Sequence, residues 1–131
     1  MTDQYLQRFL TAQESVYDTV LGELRAGRKA SHWIWFIFPQ IAGLGHSAMA
    51  KQFAIGCLDE AKAYLGHPLL GQRRRECTQP VLNVEGRSAE EIFPYPDNLK
   101  FRSCMTLFMA ATTDNALFNN ALLTYFDGKP D

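Results

Sequence analysis

The segment SHWIWFIFPQIAGLG, residues 31–45, contains the longest run of large apolar side chains in the sequence. Two Trp, two Phe and two Ile fill positions 33–38, and Pro39 follows directly. This composition favours a β-strand, because aromatic and β-branched side chains fit a pleated surface. A strand needs a partner for its amide groups, however, and no other run of β-type residues is present. We therefore predict that Ser31 is an N-cap and that residues 32–38 form about two turns of buried helix.

Helical spacing of apolar residues begins near the start of the chain. Apolar positions recur every three or four residues from Asp3 to Ala26, and Gly27 supplies a stop, so one long helix is predicted. Gln13 lies within the apolar stripe of this helix, where its amide needs a hydrogen-bond partner. We expect Gln13 to hold a neighbouring loop.

The remaining helices are predicted from their capping residues and breakers. Gly56 indicates a possible break, and Pro80 indicates a kink or a helix end. The start signals are Ser47, Pro68, Ser88 with Glu91 as a capping box, Asp97, and Asp114 or Asn115.

Length and composition favour one globular domain. The chain has 131 residues, of which 47% are hydrophobic and 21% are charged. We predict an all-α fold, a single-domain multihelical bundle of about six to seven helices spanning residues 1–131. Three widely spaced cysteines indicate free thiols in a reducing compartment, and no apolar run is long enough for a membrane span. The expected location is the cytoplasm.

Several polar residues border the apolar segments and are candidates for contact with a ligand. His32 and Gln40 flank the aromatic block, and Trp33 offers a stacking surface. Asp97, Lys100 and Ser103 recur at intervals of three, which places them on one helix face. The candidate ligand-binding residues are His32, Trp33, Gln40, His67, Lys100 and Ser103. The sequence assigns no catalytic residue, no cofactor and no set of metal ligands.

Three stretches of the chain resemble a known family. They are RFLTAQ…VYDTVLGELRAGRKASHWIWFIFPQIAGLGHS, AKAYLGHPLLGQR and PDNLKFRSCMTLF, and the resemblance as a whole runs from about Tyr5 to Asp127. They are similar to the bacterial and fungal family called domain of unknown function 1810, whose members often carry the mistaken label calpastatin. The resemblance implies a small all-helical domain and no established reaction.

Three functions remain open from the sequence. The first is a site for a small nucleotide-like or acidic metabolite, built from the candidate residues. The second is a structural or interaction module without catalytic activity, in which the aromatic block is core or a homodimer interface. The third is nucleic-acid binding through residues 73–75, three consecutive arginines, although a net charge of -1 argues against it.

Overall fold

The regular elements of the chain are helices in this computed structural model, which describes residues 2–131 and the side chains of residues 5–131. Nine helices are found within the described residues, so the all-α class is confirmed and the predicted number of helices is too low. None of these helices has the length and apolar character that crossing a membrane requires. The helices are α1 (Thr2–Glu14), α2 (Tyr17–Arg25), α3 (Ile34–Ile37), α4 (Ala48–Gln52), α5 (Leu58–Gly66), α6 (Pro68–Asn83), α7 (Ala89–Ile92), α8 (Asp97–Ala111) and α9 (Ala116–Phe126).

The long helix predicted between Asp3 and Ala26 is two helices, because its two halves pack on different partners. Helix α1 contacts α3 and α5, whereas α2 packs against α6. Val16, with φ −121° and ψ −3°, separates them. Gln13 at this corner donates from its buried amide to the Phe36 carbonyl oxygen at 2.7 Å and to the Tyr64 hydroxyl at 3.2 Å. Gln13 therefore has the hydrogen-bond partner that its apolar surroundings predicted, but this partner lies in helix α3 of the aromatic block rather than in a loop.

The aromatic block is helical but shorter than predicted. Helix α3 is a single turn preceded by Trp33, so Ser31 is not its N-cap. The Ser31 backbone N–H and hydroxyl both donate to Glu23, at 2.9 Å and 2.6 Å. At the other end, Phe38 has φ −124° and ψ 68°, outside the helical region. The ring of Pro39 disfavours helical geometry at the residue before it, which accounts for this end.

Several of the other predicted boundaries are confirmed. The Ser47 hydroxyl accepts from the Ala50 N–H at 3.1 Å, and Ser88 and Glu91 form both bonds of a capping box. Helices α4 and α5 lie on either side of Gly56, as predicted. Helix α6 continues through Pro80 to Asn83, so of the two predicted effects of Pro80 the helix end is wrong.

Another difference lies at the start of α8. The helix begins at Asp97 itself, after Pro96, and no side-chain cap bond is formed there. The Asp97 carboxylate instead forms an ion pair with Lys29, with 2.8 Å between Nζ and Oδ2.

Helices α6 and α8 organise the core. Helix α8 packs against α5 and α9, and α6 packs against α2, α5 and α9. The aromatic block contributes Phe38, whose ring centroid lies 5.5 Å from that of Phe93 and 5.0 Å from that of Phe101. All three rings are fully buried, and burying such a side chain contributes about 1.5–3 kcal/mol. The block is therefore the centre of the core.

Two backbone hydrogen bonds hold the loop that follows the aromatic block. Ile41 and Ile55 form a parallel bridge, in which the Ala42 N–H donates to the Ile55 oxygen at 2.8 Å. The Ile55 N–H in turn donates to the Gln40 oxygen at 2.9 Å. These bonds hold the segment after Pro39 against the connection between α4 and α5. This segment forms one wall of the cavity described next.

Candidate functional site

A cavity of about 390 Å³ lies between α8 and residues 40–50. This volume is within the range of about 300–1,000 Å³ that is usual for small-molecule pockets. Helix α8 supplies side chains one turn apart, and the loop supplies the opposite wall. The polar members of the lining are Gln40, His46, Ser47, Lys100, Ser103 and Asp131.

The loop wall depends on a close backbone approach at Gly45. A Cβ atom at this position would lie 2.4 Å from the Ala50 Cβ and 3.2 Å from the Gln40 Oε1. Ala50 belongs to the first turn of α4, so this neighbour could not move without shifting the helix. The missing side chain of Gly45 therefore allows His46 and Ser47 to be carried close to α8.

Three charged side chains meet beside the cavity. Lys29, Asp97 and Lys100 form a chain in which Lys29 lies 2.8 Å and Lys100 lies 3.8 Å from the Asp97 carboxylate oxygens. The side chain of Lys29 is only 8% exposed, and those of Asp97 and Lys100 are 18% and 19% exposed. Lys29 makes the shorter contact with Asp97. Lys100 also lines the cavity, where its positive charge favours an anion.

A carboxylate of the chain itself already lies against this wall. The Ser103 hydroxyl donates to the Asp131 side-chain carboxylate, and the Asp131 N–H donates to the Thr106 hydroxyl oxygen at 2.9 Å. The segment is also held by Arg102, whose Nε donates to the Lys129 carbonyl oxygen at 3.0 Å. The α8 face is therefore able to hydrogen-bond a carboxylate group beside Lys100.

The sequence-predicted candidates divide into two groups. Gln40, Lys100 and Ser103 meet at the cavity. His32 is exposed on the approach to α3 and is not part of the lining.

Trp33 and His67 have roles in the fold. Trp33 is 1% exposed, and its indole N–H donates to a Glu23 carboxylate oxygen at 2.9 Å. His67 is the N-cap of α6, because its Nδ1 accepts from the backbone N–H groups of Leu69 and Leu70, each at 3.2 Å. Both side chains lie outside the cavity lining.

The arginines at 73–75 point in different directions. Arg73 donates to the Gln13 Oε1 at 3.3 Å, and Arg75 donates to the Asp114 carbonyl oxygen at 3.2 Å. Arg74 is fully buried, with its guanidinium carbon 4.3 Å from the ring centroid of Phe38. The three guanidinium groups therefore do not form a common anion-binding surface.

Arg74 leads to a testable prediction about the core. Its Nη1 donates to the Ile37 carbonyl oxygen, while Nε and Nη2 have no partner within the described chain. Burying a cation without a carboxylate is costly, and a hydrophobic side chain of similar volume removes that cost. We expect the free energy of unfolding of Arg74→Met, measured in urea, to lie within about 1 kcal/mol of the wild-type value or above it.

The matched variant is Arg74→Ala, which also removes the charge and in addition leaves a cavity. We expect it to be destabilised by about 3 kcal/mol. Equal, large destabilisation of both variants would show that the charge itself stabilises the core.

Two of the three cysteines, Cys77 and Cys104, are buried, and Cys57 is exposed. Burial raises the pKa of Cys104 to about 11, so its thiol stays protonated at neutral pH. The pKa of Cys77 is also raised by burial. Between residues 2 and 131, the side chains that the structure describes include no group of three His, Cys, Asp or Glu residues suited to a metal ion.

Two polar members of the lining, His46 and Asp131, were not singled out from the sequence. His46 stands between Gly45 and the N-cap Ser47, and this loop-to-helix position was the available signal. Asp131 is separated from Ser103 by 28 positions, and no local pattern connects them.

Comparison with known proteins gives two matches. A family model described as "Protein of unknown function (DUF1810)" matches residues 3–131. Among solved structures, the chain is similar to the conserved hypothetical protein Rv1873 from Mycobacterium tuberculosis, with 54% sequence identity and a TM-score of 0.95. The match covers 96% of this chain and 90% of the mycobacterial chain. No match was found among the curated proteins.

Proposed function

The chain belongs to the DUF1810 family of proteins of unknown function, as its motifs predicted, and on this premise we propose that the cavity between α8 and residues 40–50 binds a small acidic metabolite. The observation that carries this function is the hydrogen bond between Ser103 and the Asp131 carboxylate. It places an anionic oxygen at the wall of the cavity that Lys100 also lines.

Two contacts of a bound carboxylate are expected. Ser103 donates its hydroxyl hydrogen, and Lys100 supplies the positive charge. His46 and the Gln40 amide line the other wall, where they can bond further polar atoms of the ligand. In this arrangement the Asp131 side chain is a competitor within the chain, and the ligand replaces it.

The first experiment is a titration followed by ¹H–¹⁵N correlation spectra. Acetate and succinate are compared with acetamide and succinamide, which have similar shapes and no charge. We expect saturable shifts of the amide signals of residues 44–47 and 99–103 with the acids alone. Identical weak shifts with acids and amides, or shifts spread over the whole chain, would contradict a carboxylate site and favour a purely structural module.

Lys100→Met tests the role of charge. The substitution keeps most of the apolar stem and removes the cation, so we expect succinate to bind about fivefold to tenfold more weakly, or about 1–1.4 kcal/mol. Lys62→Met, an exposed lysine on α5 outside the lining, is the matched control and should bind succinate as the wild type does. Equal affinity in the two variants would exclude Lys100 from the site.

A further inference from the structure

A second, apolar groove adjoins the proposed carboxylate site. Its volume is about 360 Å³, and it lies between α8 and the N-terminal end of α5. The two cavities share Leu44, Ser103 and Asp131 in their linings, so Asp131 lies where they meet. The apolar residues that line the second groove are Ile41, Leu44, Leu58, Leu107 and Ala110.

We propose that the ligand is an amphipathic carboxylic acid, whose carboxylate replaces the Asp131 side chain at Ser103 and whose apolar chain lies in this groove. This inference rests on the proposed function. It adds a substrate class, since it requires an alkyl or aryl acid rather than a sugar acid or a nucleotide.

The chemistry of the groove supports an apolar occupant. Ser103 and Asp131 lie at the end of the groove where the carboxylate of the ligand is proposed to bind. The other polar residue in the groove lining is Thr106. A sugar or nucleobase placed there would lose hydrogen bonds to water and find few replacements. An alkyl chain has no such requirement.

The exposure of the groove side chains points the same way. Ile41, Leu44 and Leu58 are 36%, 49% and 38% exposed, although each is a large aliphatic residue. Such side chains clustered around one concave surface indicate a binding site more strongly than scattered ones do. An apolar chain bound between them and Leu107 would remove their surface from water.

The test is a chain-length series of linear acids, namely acetate, butyrate, hexanoate and octanoate, measured by the same amide signals. Because each buried methylene favours binding, we expect affinity to rise about twofold to fourfold per methylene beyond butyrate. In Lys100→Met, octanoate should bind at least about fivefold more weakly, which separates anchoring by the carboxylate from simple hydrophobic adsorption. Equal octanoate affinity in Lys100→Met and the wild type would overturn the anchored acid.

Ala110→Gln tests the groove directly. Ala110 is exposed on α8, and the longer polar side chain would occupy the groove without adding charge. We expect the rise with chain length to disappear while acetate affinity is unchanged. Ala116→Gln, at an exposed position of α9, is the control, and Leu58→Gln gives a second measurement from the opposite wall. An unaltered rise with chain length in both groove variants would contradict the apolar subsite.

Failure of this inference differs from failure of the proposed function. If acetate and octanoate bind at residues 99–103 with equal affinity, the carboxylate site stands and the amphipathic ligand is wrong. If none of the acids binds there, both are wrong.

Discussion

Replacing Gly71 with alanine is expected to lower the free energy of unfolding by about 3 kcal/mol, because α5 and α6 leave no room for a methyl group. A Cβ atom at Gly71 would lie 2.1 Å from the Leu65 carbonyl oxygen and 3.0 Å from its carbonyl carbon. These are backbone atoms at the end of α5, so relief requires the two helices to separate. The corresponding fall in Tm is about 10 °C, measurable by circular dichroism at 222 nm.

Gly22→Ala is the matched control for this substitution. Gly22 is an exposed glycine of α2, and a Cβ atom there would meet nothing within 4 Å. Alanine is favoured over glycine within a helix, so this variant should be more stable than the wild type by about 0.5–1 kcal/mol. Stabilisation of similar size in both variants would show that the α5–α6 contact is looser than described.

Glu23→Ala is expected to lower the free energy of unfolding by about 3–4 kcal/mol, because the Glu23 carboxylate holds the segment that leads into the aromatic block. It accepts hydrogen bonds from the backbone N–H groups of Ala30 and Ser31, from the Ser31 hydroxyl and from the Trp33 indole N–H, at 2.6–2.9 Å. Since Trp33 is buried, removal of the carboxylate leaves its indole N–H without a partner. Urea unfolding measures the loss.

Two further variants separate the parts of this effect. Glu23→Gln retains an acceptor oxygen and loses the charge, so a smaller cost of about 1–2 kcal/mol is expected. Glu85→Ala removes an exposed carboxylate elsewhere and should lie within about 0.5 kcal/mol of the wild type. A Glu23→Ala variant as stable as Glu85→Ala would contradict the role of this cluster.

The same cluster predicts a dependence of stability on pH. Burial by itself raises the pKa of Glu23, but hydrogen bonds from Ser31, the Ala30 N–H and Trp33 outweigh it and hold the pKa below its usual value of 4.5. A lowered pKa contributes stability above pH 4.5 that is lost as the pH falls through the folded-state value. The stability difference between the wild type and Glu23→Gln should therefore shrink on acidification below pH 4.5.

The sequence predicted that the aromatic block is helical, because a strand needs a pairing partner and the rest of the chain offers none. It did not predict the length of α3, because the partner of Ser31 is Glu23, eight positions earlier on another helix. Apolar spacing likewise continues through Val16, although α1 and α2 diverge there. Local patterns report which side of a helix is buried, and tertiary contacts decide where the helix ends.

For the candidate site, helical spacing was the informative signal. The interval of three between Lys100 and Ser103 placed both on the face of α8 that lines the cavity. His32 and Trp33 were chosen for their chemistry alone, and the fold places Trp33 in the core. Asp97, the ion-pair partner of Lys100, is also held by Lys29, which lies in the loop before α3. No spacing rule in the sequence predicts that contact.

The most direct test of the central claim, a carboxylate site at Ser103 and Lys100, is a crystal structure of the protein with octanoate. We predict that the octanoate carboxylate accepts a hydrogen bond from the Ser103 hydroxyl, that the Asp131 side chain is displaced, and that the alkyl chain lies between Leu58 and Leu107. Asp131 still bonded to Ser103 at a saturating octanoate concentration, with both cavities free of the acid, would contradict the account.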